Sequence, residues 1–177
     1  MSRRLIYFAF GAAVLFGISS TNADAASPQV ARGKYLVTIA GCNDCHTPGY
    51  FLGKPDMTRY LGGSDVGFEI PGRGVFIGRN ITPDKETGIG KWTKKQIVTA
   101  LQTGTTPSGY ILDPIMPWHA FAHFTKRDVY AIASYLKTIK PVHHEVPGPF
   151  GPGQKVPTFF MRILPPGQVV ANAPNKK

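Results

Sequence analysis

The apolar positions of this chain change their pattern several times, and each change predicts an element. Leu5 to Ile18 is a nearly unbroken apolar run behind Arg3 and Arg4, followed by Ser19 to Asn22 and then Ala23-Asp24-Ala25. A positive start, a short apolar run and a small-x-small site are the parts of a secretory signal, and the run is shorter than the ~17–25 residues of a membrane-spanning helix. Residues 1–25 are therefore expected to be a cleaved leader. From Ser27-Pro28, a cap and a first-turn proline, Val30, Lys34, Val37 and Ala40 share one face by helical spacing, and Gly41 is placed to end that helix. A Gly/Pro-rich stretch from Thr47 to Lys91 contains Val66–Ile70 and Val75–Ile77 on either side of Pro71-Gly72-Arg73-Gly74, a small β-hairpin pattern. Thr93-Lys94-Lys95-Gln96 opens a capped amphipathic helix that Gly104 stops. Thr125-Lys126-Arg127-Asp128 opens another, with Val129, Ile132, Ala133 and Leu136 on its apolar face. Pro141 to Lys177 is a Pro-rich tail with one apolar patch around Phe159–Leu164.

These elements add up to a mainly helical domain over residues 26–141, with long loops and an extension over 142–177. Few helices and 20 Gly with 16 Pro leave little apolar core for 177 residues. Small scaffolds of this kind need a staple or a cofactor.

One motif supplies such a group. Cys42-Asn43-Asp44-Cys45-His46 is Cys-x-x-Cys-His, the attachment signature of c-type haem. Two thiols on one helical turn add to the two vinyl groups, and the following histidine offers a ring nitrogen to the iron. A thioredoxin-like reading needs a βαβ context that the sequence lacks, and a zinc reading needs more ligands. The proximal His46 leaves one iron position. Met116, in Ile115-Met116-Pro117-Trp118 between the two capped helices, offers a soft thioether there. Met57, Met161, His119 and His123 are the rivals for that position.

With these residues in view, the chain resembles the class I c-type cytochromes, and more narrowly the cytochrome c domains or subunits of bacterial periplasmic and membrane-bound dehydrogenases. The resemblance runs from Arg32 to Pro141. It rests on Arg32-Gly33-Lys34-Tyr35-Leu36-Val37 before Cys42, on Asn80-Ile81-Thr82-Pro83-Asp84 continuing to Gly90, on Met116-Pro117-Trp118, and on the helix with Tyr130, Tyr135 and Leu136. It implies an all-α cytochrome c-like fold around one covalent haem c, whose first and last helices cross at Gly33 and Tyr135. It also implies His46/Met116 ligation of the iron and relay of single electrons rather than enzyme catalysis. The alternative function class is a haem enzyme or gas sensor with an open or displaceable sixth iron position.

Charge changes the picture only for partners. The net charge is +10, and the balance stays strongly positive when Arg3, Arg4 and Asp24 leave with the leader. No recognition motif for nucleic acid accompanies it. The expected partners are redox proteins with an acidic docking patch, a dehydrogenase complex among them, met in the periplasm, with membrane contact at most peripheral.

Overall fold

The computed structural model describes residues 27–167. The expected leader, residues 1–25, and the end of the tail lie outside the described residues.

Helix α1, Pro28–Ile39, begins where the sequence places it: the Ser27 hydroxyl accepts the Val30 amide and Pro28 occupies the first turn. Gly41 then takes the left-handed conformation (φ 65°) that a side chain would oppose, and the chain turns into the short helix α2, Cys42–His46. After the two-stranded hairpin of β1, Val66–Ile70, and β2, Gly74–Ile77, helix α3 covers Lys94–Thr103. Its capping box is complete: Thr93 accepts from the Gln96 amide while the Gln96 side chain accepts from the Thr93 amide. A four-residue helix α4, Trp118–Phe121, and helix α5, Lys126–Leu136, follow, the latter capped by Thr125.

α1 crosses α5 at Gly33. A Cβ on Gly33 would stand 2.0 Å from the Ala131 carbonyl oxygen and 2.7 Å from the Cβ of Tyr135, so only glycine lets the backbones approach this closely. Around the crossing, Leu36, Val37, Val129, Ile132, Ala133 and Leu136 are buried together with Ile97 and Leu101 of α3. Arg32 adds an ion pair to Asp128 at 2.9 Å on the rim.

The all-α expectation is corrected. Among the described residues, a three-stranded mixed sheet of order β2-β1-β3 lies beside the five α-helices, and its third strand, β3, Phe159–Met161, comes from the Pro-rich tail. β1 and β2 are antiparallel, with Ile70 opposite Gly74 and Gly67 opposite Ile77. β3 lies parallel to β1, with Val66 opposite Phe159 and Phe68 opposite Met161. The physical reason is that a lone hairpin is marginal in water. The tail supplies a third ladder and, with Val146, Phe150 and Val156 against Val75 and Ile77, a second small core. Among the described residues no helix is long and apolar enough to cross a membrane.

Candidate haem-attachment site

Three of the four residues singled out as haem or iron contacts share α2. Cys42 and Cys45 are both free thiols and both part-exposed, at the two ends of one helical turn. Burial pushes the Cys42 thiol up to about 11 and raises Cys45 as well. His46 closes the helix and is buried.

The surroundings of His46 select one state of its ring. Nδ1 lies 2.6 Å from the carbonyl oxygen of Arg79, an acceptor only, so Nδ1 carries the proton and donates. In the neutral ring that leaves the lone pair on Nε2, the arrangement of a histidine that ligates a metal. Burial holds the ring below the usual histidine range, with the Arg79 carbonyl working the other way, so the neutral form prevails. The acceptor can come this close because residue 78 is glycine: a Cβ there would sit 1.7 Å from the Cys45 carbonyl oxygen. The Gly63 amide donates to the His46 carbonyl at 2.8 Å, and Thr47, fully buried, donates to Asn43 and accepts from the Leu61 amide. The C-terminal end of α2 is thus gripped by residues that flank the hairpin.

Met116 stands apart in sequence but not in packing. It is half-buried against the same core cluster that Cys42 borders. Its loop is pinned on both sides. The Met116 amide donates to the Asp113 carbonyl at 3.0 Å, and the Trp118 indole N–H donates to the Leu112 carbonyl at 3.1 Å. The Trp118 ring fills the space where a Cβ on Gly104 would be, 2.7 Å away. The rivals for the sixth position are all more exposed than Met116. His119 stacks on Trp118 with ring centres 3.4 Å apart, His123 is exposed, and Met57 and Met161 are exposed on the loop and on β3.

The donor set fits a covalently held haem: two unpaired thiols on one turn, an imidazole whose Nδ1 is engaged, and a soft thioether packed against the core cluster that Cys42 borders. The residues that the sequence did not single out are the supports. The backbone carbonyl of Arg79 and the missing side chain of Gly78 leave no mark in a sequence pattern. Asn80, in the narrow motif shared with the cytochromes, is consumed internally: its amide donates to Thr87 and Val142, and its oxygen accepts from Thr82.

No protein-family model matches the chain. Individual relatives do. The chain is 33% identical over 149 residues to the fructose dehydrogenase cytochrome subunit of Gluconobacter japonicus, a match covering 82% of this chain and 28% of that protein. It is 34% identical over 131 residues to the cytochrome c subunit of a quinone alcohol dehydrogenase of Gluconobacter oxydans, covering 73% of this chain and 25% of that one. A diheme cytochrome of c type from Cereibacter sphaeroides is 30% identical over 113 residues, 64% of this chain and 37% of its own. The chain therefore spans roughly a quarter to a third of the length of these relatives. Motif, geometry and relatives agree: the chain is a c-type cytochrome that resembles the cytochrome subunits of dehydrogenases.

Proposed function

We propose that the chain is the electron-transfer subunit of a dehydrogenase system, carrying single electrons through one haem c. The observation that carries this reading is the state of α2, where Cys42 and Cys45 are free on one turn and His46 presents Nε2 because Arg79 takes Nδ1. The sequence holds one Cys-x-x-Cys-His, so one haem is proposed. Cys42 and Cys45 would form the thioethers, and His46 and Met116 would ligate the iron. Residues 1–25 direct export to the periplasm, 26–141 form the haem domain, and 142–177 extend it.

Bound in this way, haem c supplies one-electron chemistry at its iron. The chain's own residues determine how. Burial keeps the imidazole neutral, and the Arg79 carbonyl orients it. The Asp113 carbonyl and the Trp118 indole pin the Met116 loop, so its thioether would be held in one place. A half-buried thioether favours the ferrous state and raises the potential.

The partner is a redox protein with an acidic face. Lys94 and Lys95 stand exposed in the first turn of α3, which holds no acidic residue, and Lys91 is exposed just before it. Cations there oppose the helix dipole, each at a cost of about 0.3–1 kcal/mol at low salt. Such placement does not serve the helix; it concentrates positive potential where an acidic surface docks.

The test is expression in a host with c-type maturation. After denaturation and acid extraction the polypeptide is expected to keep the mass of one haem, and Cys42→Ser or Cys45→Ser to lower or abolish stable holo-protein. Met116→Ala is expected to remove the sulfur-to-iron band of the ferric form, whereas His119→Ala and His123→Ala retain it. Freely extractable haem overturns covalent attachment, and rapid full binding of carbon monoxide by the reduced wild type overturns Met116 ligation in favour of a sensor or enzyme.

A further inference from the structure

The acceptor that fixes His46 belongs to a residue whose own side chain is held by a distant part of the chain. Nη1 of Arg79 donates to the carbonyls of Val146, Pro147 and Gly148, the latter two at 3.2 and 2.9 Å. The same stretch is stitched to the neighbours of Arg79. Asn80 donates to the Val142 carbonyl at 2.7 Å, the Val142 amide donates to Thr82 at 3.0 Å, and the His144 amide donates to Thr87 at 3.0 Å. The His144 ring engages the Gly62 carbonyl at 2.7 Å, and Val146 is buried where a Cβ on Gly63 would stand, 2.2 Å away.

We propose that residues 142–148 are a positioning strap for the proximal histidine, acting through Arg79 as a positioning residue. This rests on His46 being the iron ligand and adds the element that sets its hydrogen bond. A guanidinium is planar, always charged, and able to reach several carbonyls from one fixed plane. Gathering the carbonyls of 146–148 fixes the side chain of Arg79, and with it the backbone carbonyl that receives the His46 proton. Donation from Nδ1 makes the imidazole a more basic ligand at Nε2, which favours ferric iron. Loosening the strap weakens that donation and shifts the balance toward ferrous iron.

Charge and geometry are separable here. Arg79→Lys keeps the charge and loses the planar guanidinium that aims Nη1 at the three carbonyls, and Arg79→Gln loses both. In the holo-protein, exchange of the His46 ring N–H with deuterated water is read by NMR, and the ferrous-to-ferric ratio is read at one fixed ambient potential. Arg79→Lys is expected to speed the exchange roughly tenfold and to raise the ratio about threefold. A chain ending at Pro141 is expected to do the same; should it fail to fold, the lysine variant alone decides. Wild-type exchange and an unchanged ratio in Arg79→Lys overturn the strap. So does a ratio that moves only in Arg79→Gln, which assigns Arg79 a purely electrostatic effect. A His46 ring proton lacking any haem-induced shift in the wild type counts against ligation by His46, while the exchange comparison still decides the strap.

Discussion

Arg73, at the tip of the hairpin, lies 3.1 Å from the Oδ2 of Asp113, three residues ahead of Met116. The Asp113 side chain is 4% exposed and that of Arg73 55%. Oδ1 of Asp113 accepts the Ile115 amide, while Oδ2 has no aligned hydrogen bond, so Arg73 is what balances this buried charge. Arg73→Ala is expected to destabilise the loop by about 1 kcal/mol, a modest figure because Arg73 is half in solvent. The measurement is the temperature at which the ferric sulfur-to-iron band disappears, which falls in Arg73→Ala. Adding Asp113→Asn removes the stranded charge and recovers much of the loss.

The crossing of α1 and α5 has no spare room. Gly33→Ala drives a methyl group toward the Ala131 carbonyl, a backbone atom that cannot rotate away. The expected cost is about 3 kcal/mol, the upper end for overpacking. It is measured as a lowered midpoint of denaturant unfolding with the slope unchanged.

Acid sensitivity has an identifiable contributor. The Asp84 carboxylate accepts the Thr87 amide, the Thr87 hydroxyl and the Glu86 amide, and these bonds hold it below the usual carboxylate range. Because the folded value is the lower one, the stabilisation is fully present above the unfolded value, about pH 4, and is lost as pH falls through the folded value. Asp84→Asn is expected to flatten stability against pH below about pH 4 and to leave the slope near neutrality unchanged. Urea titrations at a series of pH values check it.

Docking is expected to be electrostatic. Electron transfer to an acidic partner slows as ionic strength rises through ~0.1 M, where the Debye length is about 10 Å. Lys94→Glu with Lys95→Glu lowers the association rate and leaves the haem spectrum unchanged. Stopped-flow rates indifferent to both salt and charge reversal mean an apolar contact instead, for which the exposed Phe159, Phe160 and Ile163 are the surface at hand.

Much of the helical framework is legible in the sequence. Ser27, Thr93 and Thr125 cap the three long helices that their spacing predicted, and Gly41 and Gly104 stand at the stops. Caps and periodicity are local, so a linear reading reaches them. β3 was not legible, because nothing in Phe159-Phe160-Met161 says that its partner is Val66–Phe68. In the site, thiols and imidazole announced themselves through their chemistry. Their supports did not: Arg79 contributes a carbonyl that every residue possesses, and Gly78 contributes an absence. The Arg79 cation itself is spent on the carbonyls of 146–148, a pairing that only the fold brings together.

The parallel pairing of β3 with β1 bears on the order in which the molecule assembles. Thr158, beside β3, donates to the Asp65 carbonyl across a span of 93 residues, and α3, α4 and α5 all lie inside that span. Closing so long a loop costs on the order of 4 kcal/mol in chain entropy, so this ladder waits until the helices have drawn its ends together. During synthesis the free edge of β1 remains unpaired until Phe159–Met161 have been made. A prematurely terminated chain keeps that edge, a template for pairing with other strands, and is the form most prone to aggregate. The third strand therefore joins the sheet after the helices between its partners have packed, and its pairing covers an edge that β1 otherwise leaves open.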